Sequence, residues 1–410
     1  MIKADVDIYN PDLYIERVPH EAFAQLRRRT PVCWHPEPKG GPGFWCILKY
    51  NDLVQISKDP LTFSSYRGGT NIEDAQPEQL TMLRAIMLNM DPPQHSKFRK
   101  IISQAFVPRI IGRLEPHVRD MARDIVDGIA AKGECDFVRE VAAELPLQVI
   151  TELMGVPLDE RHKVFDWSNR LIGFDDPEFG TSQEDGHKAA SEMWMYANEL
   201  AEKRKAEPRD DLVTRLLQGI VDGESLSEFE FDSFFLLLAV AGNETTRNLV
   251  SGGMLALMEN PEQMARLVAD PSLIPSAVEE MLRWVSPVMH FRRTVTRDAE
   301  VGGQKLREGE KVVLFYPSAN RDEDIFPNAM SFDVGRFPND HVAFGIGEHF
   351  CLGTKLARLE INIIFEELVR RLPDINPAGA VRRLRSNFIN GIKSMPVRFT
   401  PERETIRQTA

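Results

Sequence analysis

Phe344-Gly345-Ile346-Gly347-Glu348-His349-Phe350-Cys351-Leu352-Gly353 sets one cysteine in a glycine-punctuated loop, directly ahead of a long amphipathic run. From Leu352, apolar residues recur at Leu356, Leu359 and Ile363, the spacing of one helical face. The pattern predicts a helix opening just behind Cys351, where unpaired amide donors and the helix dipole stabilise a thiolate. Gly345, Gly347 and Gly353 supply freedom for a tight turn and for close approach to a flat object. A thiolate held this way serves as a nucleophile, a redox switch, or a ligand to a metal with no other protein sulfur beside it.

The second strong element runs from Glu228 to Met258. Its segment Phe234–Ala241 is apolar on every side, which marks a helix passing through the core. Gly242-Asn243-Glu244-Thr245-Thr246 follows in mid-helix, where glycine, an acid and two hydroxyls weaken the ladder. A threonine hydroxyl bonding back to a carbonyl is expected to bend the helix there. Such a breach of local rules is typical of functional sites.

Around these two, Glu21–Arg29 reads as a helix, Phe44–Lys49 as a strand, and Asn51 as the cap of a short helix. Asp91-Pro92-Pro93 reads as an acidic N-cap with proline in the first turn, placing His95 and Arg99 on one helical face. Residues 116–204 look helical, with breaks at Leu145-Pro146-Leu147 and Gly155-Val156-Pro157. The aromatics Phe165, Trp167, Phe174 and Phe179 around Asp175-Asp176-Pro177 read as the roof of a pocket. Glu280 and Arg283 pair along a helix, Pro287–Arg293 leads into a strand, and Gly302–Phe315 and Phe388–Phe399 read as hairpins. The second hairpin has its turn at Asn390-Gly391, and the polar tail after Pro401 is expected to fray.

Composition narrows the function. In 410 residues there is no linker, repeat or low-complexity tract, so residues 1–410 read as one domain. Hydrophobic residues make up 42%, enough for a substantial core. Neither a signal peptide nor an anchor is read at the N-terminus, and no apolar run approaches membrane-spanning length, so a cytoplasmic location is expected. Four irregularly spaced cysteines argue against a disulfide framework and a zinc site. A net charge of −12 argues against nucleic acid as a partner.

The motif Phe-x-x-Gly-x-His-x-Cys-x-Gly, met by Phe344, Gly347, His349, Cys351 and Gly353, resembles the haem-ligand loop of the cytochrome P450 family. The resemblance implies a mainly α, single-domain helical fold with small β-sheets. It makes Cys351 the axial thiolate of a haem b iron, with Phe344 packed over the sulfur side and Gly353 in the binding loop. His349 would reach a haem propionate. His95 and Arg99 match the family's His-x-x-x-Arg propionate pair. Arg293, five before Asp298, matches the second propionate contact, with Arg292 as the adjacent alternative. Ala241-Gly242-x-Glu244-Thr245-Thr246 resembles the family's oxygen-binding groove, with Thr245 donating a hydrogen bond to dioxygen and Glu244 relaying protons from solvent. Glu280-x-x-Arg283 with Phe332-Asp333-x-x-Arg336 resembles its folding network. Ser64–Met90 corresponds to a mobile lid, and Leu237, Ala241, Val288, Met289 and Ile389 to the substrate pocket.

The activity so implied is insertion of one oxygen atom from O2 into a C–H bond of a small hydrophobic substrate. The stretches at 167–169, 175–178, 241–248 and 390–393 look like bacterial enzymes hydroxylating steroid side chains; terpenoid and branched-lipid hydroxylases share part of the pattern. The chain holds no dinucleotide turn and no cysteine cluster, so electrons are expected from a separate [2Fe–2S] ferredoxin with its NAD(P)H-dependent reductase. Of the basic residues Lys97, Arg99, Lys100, Arg109, Arg113, Lys355 and Arg358, Arg99 is claimed by the propionate, and the other six form the expected docking patch on an acidic protein. Two other classes are compatible with the cysteine loop alone. A peroxide-driven peroxygenase typically lacks the Glu244–Thr245 pair, and a non-catalytic haem sensor usually brings a signalling domain.

Overall fold

The computed structural model describes residues 4–402 apart from 104, 105, 107, 174, 175, 179–181 and 221–224. Helices α1 (His20–Arg29), α2 (Tyr50–Ser57), α3 (Pro77–Leu83), α4 (Gln94–Ser103) and α5 (Pro108–Ala130) come first. After them come α6 (Glu144–Met154), α7 (Arg161–Ile172), α8 (Gln183–Ala206), α9 (Leu212–Gln218) and the longest, α10 (Glu228–Glu259). The set closes with α11 (Pro261–Ala269), α12 (Ile274–Val285), the single turn α13 (Tyr316–Ala319) and α14 (Thr354–Arg371). The first strands are β1 (Val32–His35), β2 (Phe44–Ile47), β3 (Phe63–Ser64), β4 (Glu134–Asp136), β5 (His290–Val295) and β6 (Ala299–Val301). The later ones are β7 (Gln304–Leu306), β8 (Lys311–Phe315), β9 (Asn376–Pro377), β10 (Arg382–Arg383), β11 (Ile392–Ser394) and β12 (Pro396–Arg398). The main sheet has the order β1-β2-β8-β5-β3, with β2 and β8 parallel and the other neighbours antiparallel. The fold is mainly α with small sheets, as the sequence leads one to expect.

α10 is the axis of the larger core. Ser227 and Glu230 close a capping box at its start, the Ser227 hydroxyl accepting from the Glu230 amide and the Glu230 carboxylate from the Ser227 amide at 2.8 Å. Its glycines let neighbours approach closely. A Cβ on Gly242 would sit 2.8 Å from the Ile150 side chain of α6, and one on Gly252 would sit 2.9 Å from Val285 of α12. Helical backbone continues unbroken through the polar run, with the Thr245 hydroxyl donating to the Ala241 carbonyl at 2.7 Å. Gly242 therefore has a packing reason as well as its place in the motif.

Several local expectations are corrected by long-range contacts. α2 opens at Tyr50, not behind Asn51, because the Asp322 carboxylate accepts the Tyr50 amide at 2.9 Å and does a capping residue's work from afar. α4 opens at Gln94; the Asp91 side chain accepts the Ser65 amide at 2.8 Å and the Ser64 hydroxyl, so it ties two segments and caps nothing. Leu145-Pro146-Leu147 is no break. It lies in the first turn of α6, where proline's missing donor costs nothing, while Gly155 ends that helix in the left-handed region at φ +76°. The real hairpin is β6–β7 about Gly302 and Gly303, and β8 leaves it to pair with β5 and β2. Nor is Phe388–Phe399 a hairpin: β11 pairs with β10, and β12 with β4 and β9. Phe174, Asp175, Phe179 and the tail beyond 402 lie outside the described residues.

A buried ion network fixes the long segment between α13 and the cysteine loop. Arg283, 0 % exposed, donates to both Glu280 oxygens at 2.8 and 2.7 Å and to the carbonyls of Asn320, Ala329 and Ser331. Arg336 Nε and Asn339 Nδ2 complete Glu280 at 3.0 and 3.1 Å. One residue earlier, Glu279 accepts from both Nε and Nη2 of Arg358 on α14 at 2.6 Å and contacts the His341 ring at 3.1 Å. Burial opposes the Glu279 charge, yet the Arg358 and His341 hydrogen bonds hold its carboxyl down at about 2. A carboxyl depressed in the folded state stabilises it above the ordinary value of 4.5, and that contribution disappears as pH falls toward 2. Glu279→Gln is expected to cost about 1–3 kcal/mol in denaturant unfolding at neutral pH, with the deficit shrinking once pH drops below the ordinary carboxylate range.

Candidate active site

The cysteine loop is shaped by two left-handed glycines and one backbone bond. Gly345 and Gly347 have φ +69° and +77°, and a Cβ on Gly347 would lie 2.3 Å from the Ser57 carbonyl at the end of α2. The Cys351 amide donates to the Phe344 carbonyl at 2.9 Å, and the Thr354 hydroxyl donates to the Cys351 carbonyl at 2.6 Å. α14 begins three residues behind Cys351, as the apolar spacing predicts. Burial pushes the thiol pKa up, against the downward pull of the Gly353 amide, the Thr354 hydroxyl and the charges of Arg99 and Arg358. The helix terminus alone therefore does not ionise Cys351. A cation on the sulfur is what would complete a thiolate here. The Phe344 ring lies under the Arg358 guanidinium at 4.8 Å.

Beside this loop two histidines and two arginines converge, and none of them is ion-paired to a carboxylate among the described residues. The His95 and His349 rings stand 4.2 Å apart, and His349 Nε2 is 3.3 Å from the Ser65 hydroxyl. Burial first, then Arg99 and Arg293, lowers His95 to about 4; burial first, then Arg293, His95 and Arg99, lowers His349 to about 2. His95 Nδ1 is buried with no partner. Arg99 donates to the Phe350 carbonyl at 2.5 Å. Arg293 is buried, donates to the Arg292 carbonyl at 2.8 Å, and has no ion-pair partner among the described residues.

The adjacent arginine is occupied elsewhere. Arg292 pairs with Asp74 at 2.7 Å and donates to the carbonyls of Asn71, Ile72 and Glu73. Alternation along β5 sends the two side chains to opposite faces, so Arg293 is the one left for an external anion. A group bearing carboxylates fits this cradle: it would answer the charges of Arg99 and Arg293 and accept hydrogen bonds from the two imidazoles, which burial and those charges hold neutral. Among the described residues no three His, Cys, Asp or Glu side chains are grouped to hold a metal ion by themselves.

α10 carries a stripe that its own packing leaves open. Leu237 and Thr245 are half-buried and Ala241 is exposed, at i, i+4 and i+8, although the nearby Ala239 and Asn243 are 0 % exposed. Val288 and Ile389 are joined by a β-bridge. Met289 points away from them, into the sheet core with Phe44, Val313 and Phe315, so the structure does not bring it to the Val288 side.

Glu244 is 1 % exposed, and burial raises its pKa against the opposing pull of Arg247, with which it forms an ion pair. Arg247 also donates to Asn169 of α7 at 2.9 Å and lies over the Phe165 ring. The sequence reading gave no role to Arg247, Asn169 or Asp74. The Glu244/Arg247 spacing, the same i,i+3 as Glu280/Arg283, was the available signal for the first; Asn169 and Asp74 had none.

Residues 39–373 match the family model for cytochrome P450. The chain is 44% identical over 402 residues to the steroid C26-monooxygenase of Rhodococcus jostii, covering 96% of this chain and 84% of that protein. It is 42% identical over 409 residues to the methyl-branched lipid omega-hydroxylase of Mycobacterium tuberculosis, covering 97% and 95%. The solved structure of a Mycobacterium marinum cytochrome P450 in complex with pseudoionone superposes with a TM-score of 0.87 at 40% identity, over 93% of this chain and 94% of that one. The chain thus belongs to the cytochrome P450 family, as a monooxygenase with a haem-iron cofactor.

Proposed function

We propose that this chain is a one-domain cytoplasmic hydroxylase that uses haem b and attacks the side chain of a steroid or a methyl-branched lipid. The observation that carries the reading is the cradle of His95, Arg99, Arg293 and His349 beside Cys351. The substrate class rests on the steroid and branched-lipid relatives, which match over nearly the whole chain.

Held by Cys351, a haem would supply dioxygen activation and C–H oxidation, and a thiolate ligand would favour that chemistry. The chain's own residues do the rest. Arg99 with His95, and Arg293 with His349, neutralise and orient two propionates. Leu237, Ala241, Val288 and Ile389 offer an apolar wall that positions substrate and keeps water out; Met289 backs the sheet behind them. The Thr245 hydroxyl is committed to the Ala241 carbonyl and must turn from it to donate toward the reaction face. Glu244 supplies the proton that follows.

Electrons are proposed to come from a [2Fe–2S] ferredoxin, itself reduced by an NAD(P)H-dependent reductase. Of the seven basic residues weighed for its docking patch, Arg358 is tied to Glu279 and Arg99 to the Phe350 carbonyl, Lys97 is half-buried, and the Arg109 side chain lies outside the description. Lys100, Arg113 and Lys355 are exposed and remain the candidates.

Reduced holoprotein with carbon monoxide is expected to show the red-shifted Soret band of thiolate ligation, lost in Cys351→His; a band retained there would overturn the ligand assignment. Steroids that carry a side chain and methyl-branched lipids should shift the haem spin state, and Thr245→Ala should keep NADH consumption while product per NADH falls on the order of ten-fold as peroxide rises. Reversing Lys100, Arg113 and Lys355 to glutamate should slow first-electron transfer and flatten its ionic-strength dependence, with substrate titrations unchanged. An unaltered reduction rate at low salt would exclude this patch.

A further inference from the structure

Outside the cysteine loop, three arginines and a histidine gather where α1 meets the end of α12. His20, Phe23 and Arg27 recur at i, i+3 and i+7 of α1 and so share one face. The Phe23 and Phe315 ring centres are 5.4 Å apart, and Arg27 Nη1 donates to the Ser318 hydroxyl at 3.1 Å, which sets that face against α13. Arg321 follows two residues after α13. Its guanidinium lies 4.3 Å from the centre of the Trp284 ring, and Nη2 donates to the Trp284 carbonyl at 2.8 Å, in the last turn of α12. One residue on, the Val285 carbonyl accepts from Asn390, whose side-chain oxygen accepts from Arg383 Nη1 at 3.4 Å. Burial first, then the charges of Arg321, Arg383, Arg27 and Arg17, holds the His20 imidazole well below its ordinary value of 6.5. All of these cations therefore lie within electrostatic reach of one ring.

Four nitrogens in the cluster are buried and have no partner: Nε and Nη1 of Arg321, Nη2 of Arg27 and Nδ1 of His20. Arg27 and Arg321 are each 1 % exposed. Neither Arg321 nor Arg383 has an ion-pair partner among the described residues. The acids nearby are committed elsewhere. Glu323 takes Arg27 at 2.9 Å and Arg28 at 3.0 Å, and Glu280 is filled by Arg283, Arg336 and Asn339. Exposed Glu21 contacts Arg17 at 3.6 Å, and Glu259 acts on Arg383 without an ion pair. A guanidinium does not shed its proton, so water at these donors would satisfy hydrogen bonds and leave the buried charge unanswered. The Trp284 ring and carbonyl offset only part of it.

We propose that His20, Arg27, Arg321 and Arg383 form a binding site for a compact inorganic anion of the halide class, which ties α1 to the end of α12. Donors this deeply buried select for size, and an organic acid or a phosphoester is too bulky to reach them. The site shares no residue with the cradle beside Cys351. Burial, and after it the charge of Arg283, weighs against the Arg321 cation, and an anion offsets both. Because α12 also carries Glu280 and Arg283, an ion held at Arg321 steadies the helix from which the segment ahead of the cysteine loop is hung.

The test follows thermal unfolding of the holoenzyme as sodium chloride replaces sodium gluconate, a bulky anion, at fixed ionic strength. Wild type should show a saturable rise in unfolding temperature, as mass action requires of a ligand that binds only the folded chain, and bromide should act alike. Arg383→Met, at a half-buried position, should need on the order of ten-fold more chloride for half the rise, and Arg321→Met should lose the rise. Crystals of the holoenzyme grown in bromide should give an anomalous peak within hydrogen-bond reach of Arg321. A rise that never saturates, or one that is the same in Arg383→Met, reports a general salt effect and overturns the proposal. So does a wild-type bromide map with water alone, or the Glu21 carboxylate, against Arg321. That map decides the matter even where Arg321→Met does not fold.

Discussion

A guanidinium and a carboxylate that are both removed from water must have every polar atom satisfied, or the desolvation penalty unfolds the region. Arg283 and Glu280 meet that requirement by drawing in carbonyls and side chains from residues 320–339, a segment with little regular structure of its own. The cysteine loop starts directly after it. Asn320 carries the restraint forward, donating to the Ser286 hydroxyl and accepting the Val342 amide, both at 2.8 Å. Loop placement, and with it the cysteine sulfur, thus depends on a charge pair that never meets a substrate.

α10 solves a different problem. A helix apolar on all sides packs well but offers no chemistry, and a polar one would not stay in the core. Here the polar side chains are sorted round the helix. Thr245 faces the uncovered stripe, Glu244 and Arg247 neutralise each other toward α7, and Gly242 gives α6 room to approach. Asn248, 0 % exposed, accepts the Ile392 amide at 3.3 Å and so binds the helix to β11. Each polar residue has a direction, and the direction separates structural duty from chemical duty.

The parts legible in the sequence were those written in short-range spacing: α10 with its polar interruption, α14 behind Cys351, the Glu280/Arg283 pair. What could not be read was whatever depends on a distant partner. Choosing between Arg292 and Arg293 requires Asp74, which lies more than two hundred residues away. Asp91 has the composition of a helix cap, and only the approach of Ser65 shows that it is used otherwise. Strand pairing failed for the same reason, since β8 and β12 find their neighbours across the fold and not across the nearest turn. Met289 fits the expected pocket by position, but side-chain alternation turns it into the sheet core.

The cradle beside Cys351 also has a consequence for the life of the chain before it works. Arg99 and Arg293 bring two cations to the place where burial keeps the imidazoles of His95 and His349 from charging, a cost that an anionic cofactor would remove. A ligand that binds only the folded chain stabilises it by an amount that grows with its free concentration. Newly made polypeptide that meets haem is drawn into the native state, while polypeptide that does not lingers in partly open forms that proteases can clear. Haem supply would in this way set the abundance of the enzyme with no dedicated sensor, through two buried imidazoles and two cations that want an anion between them.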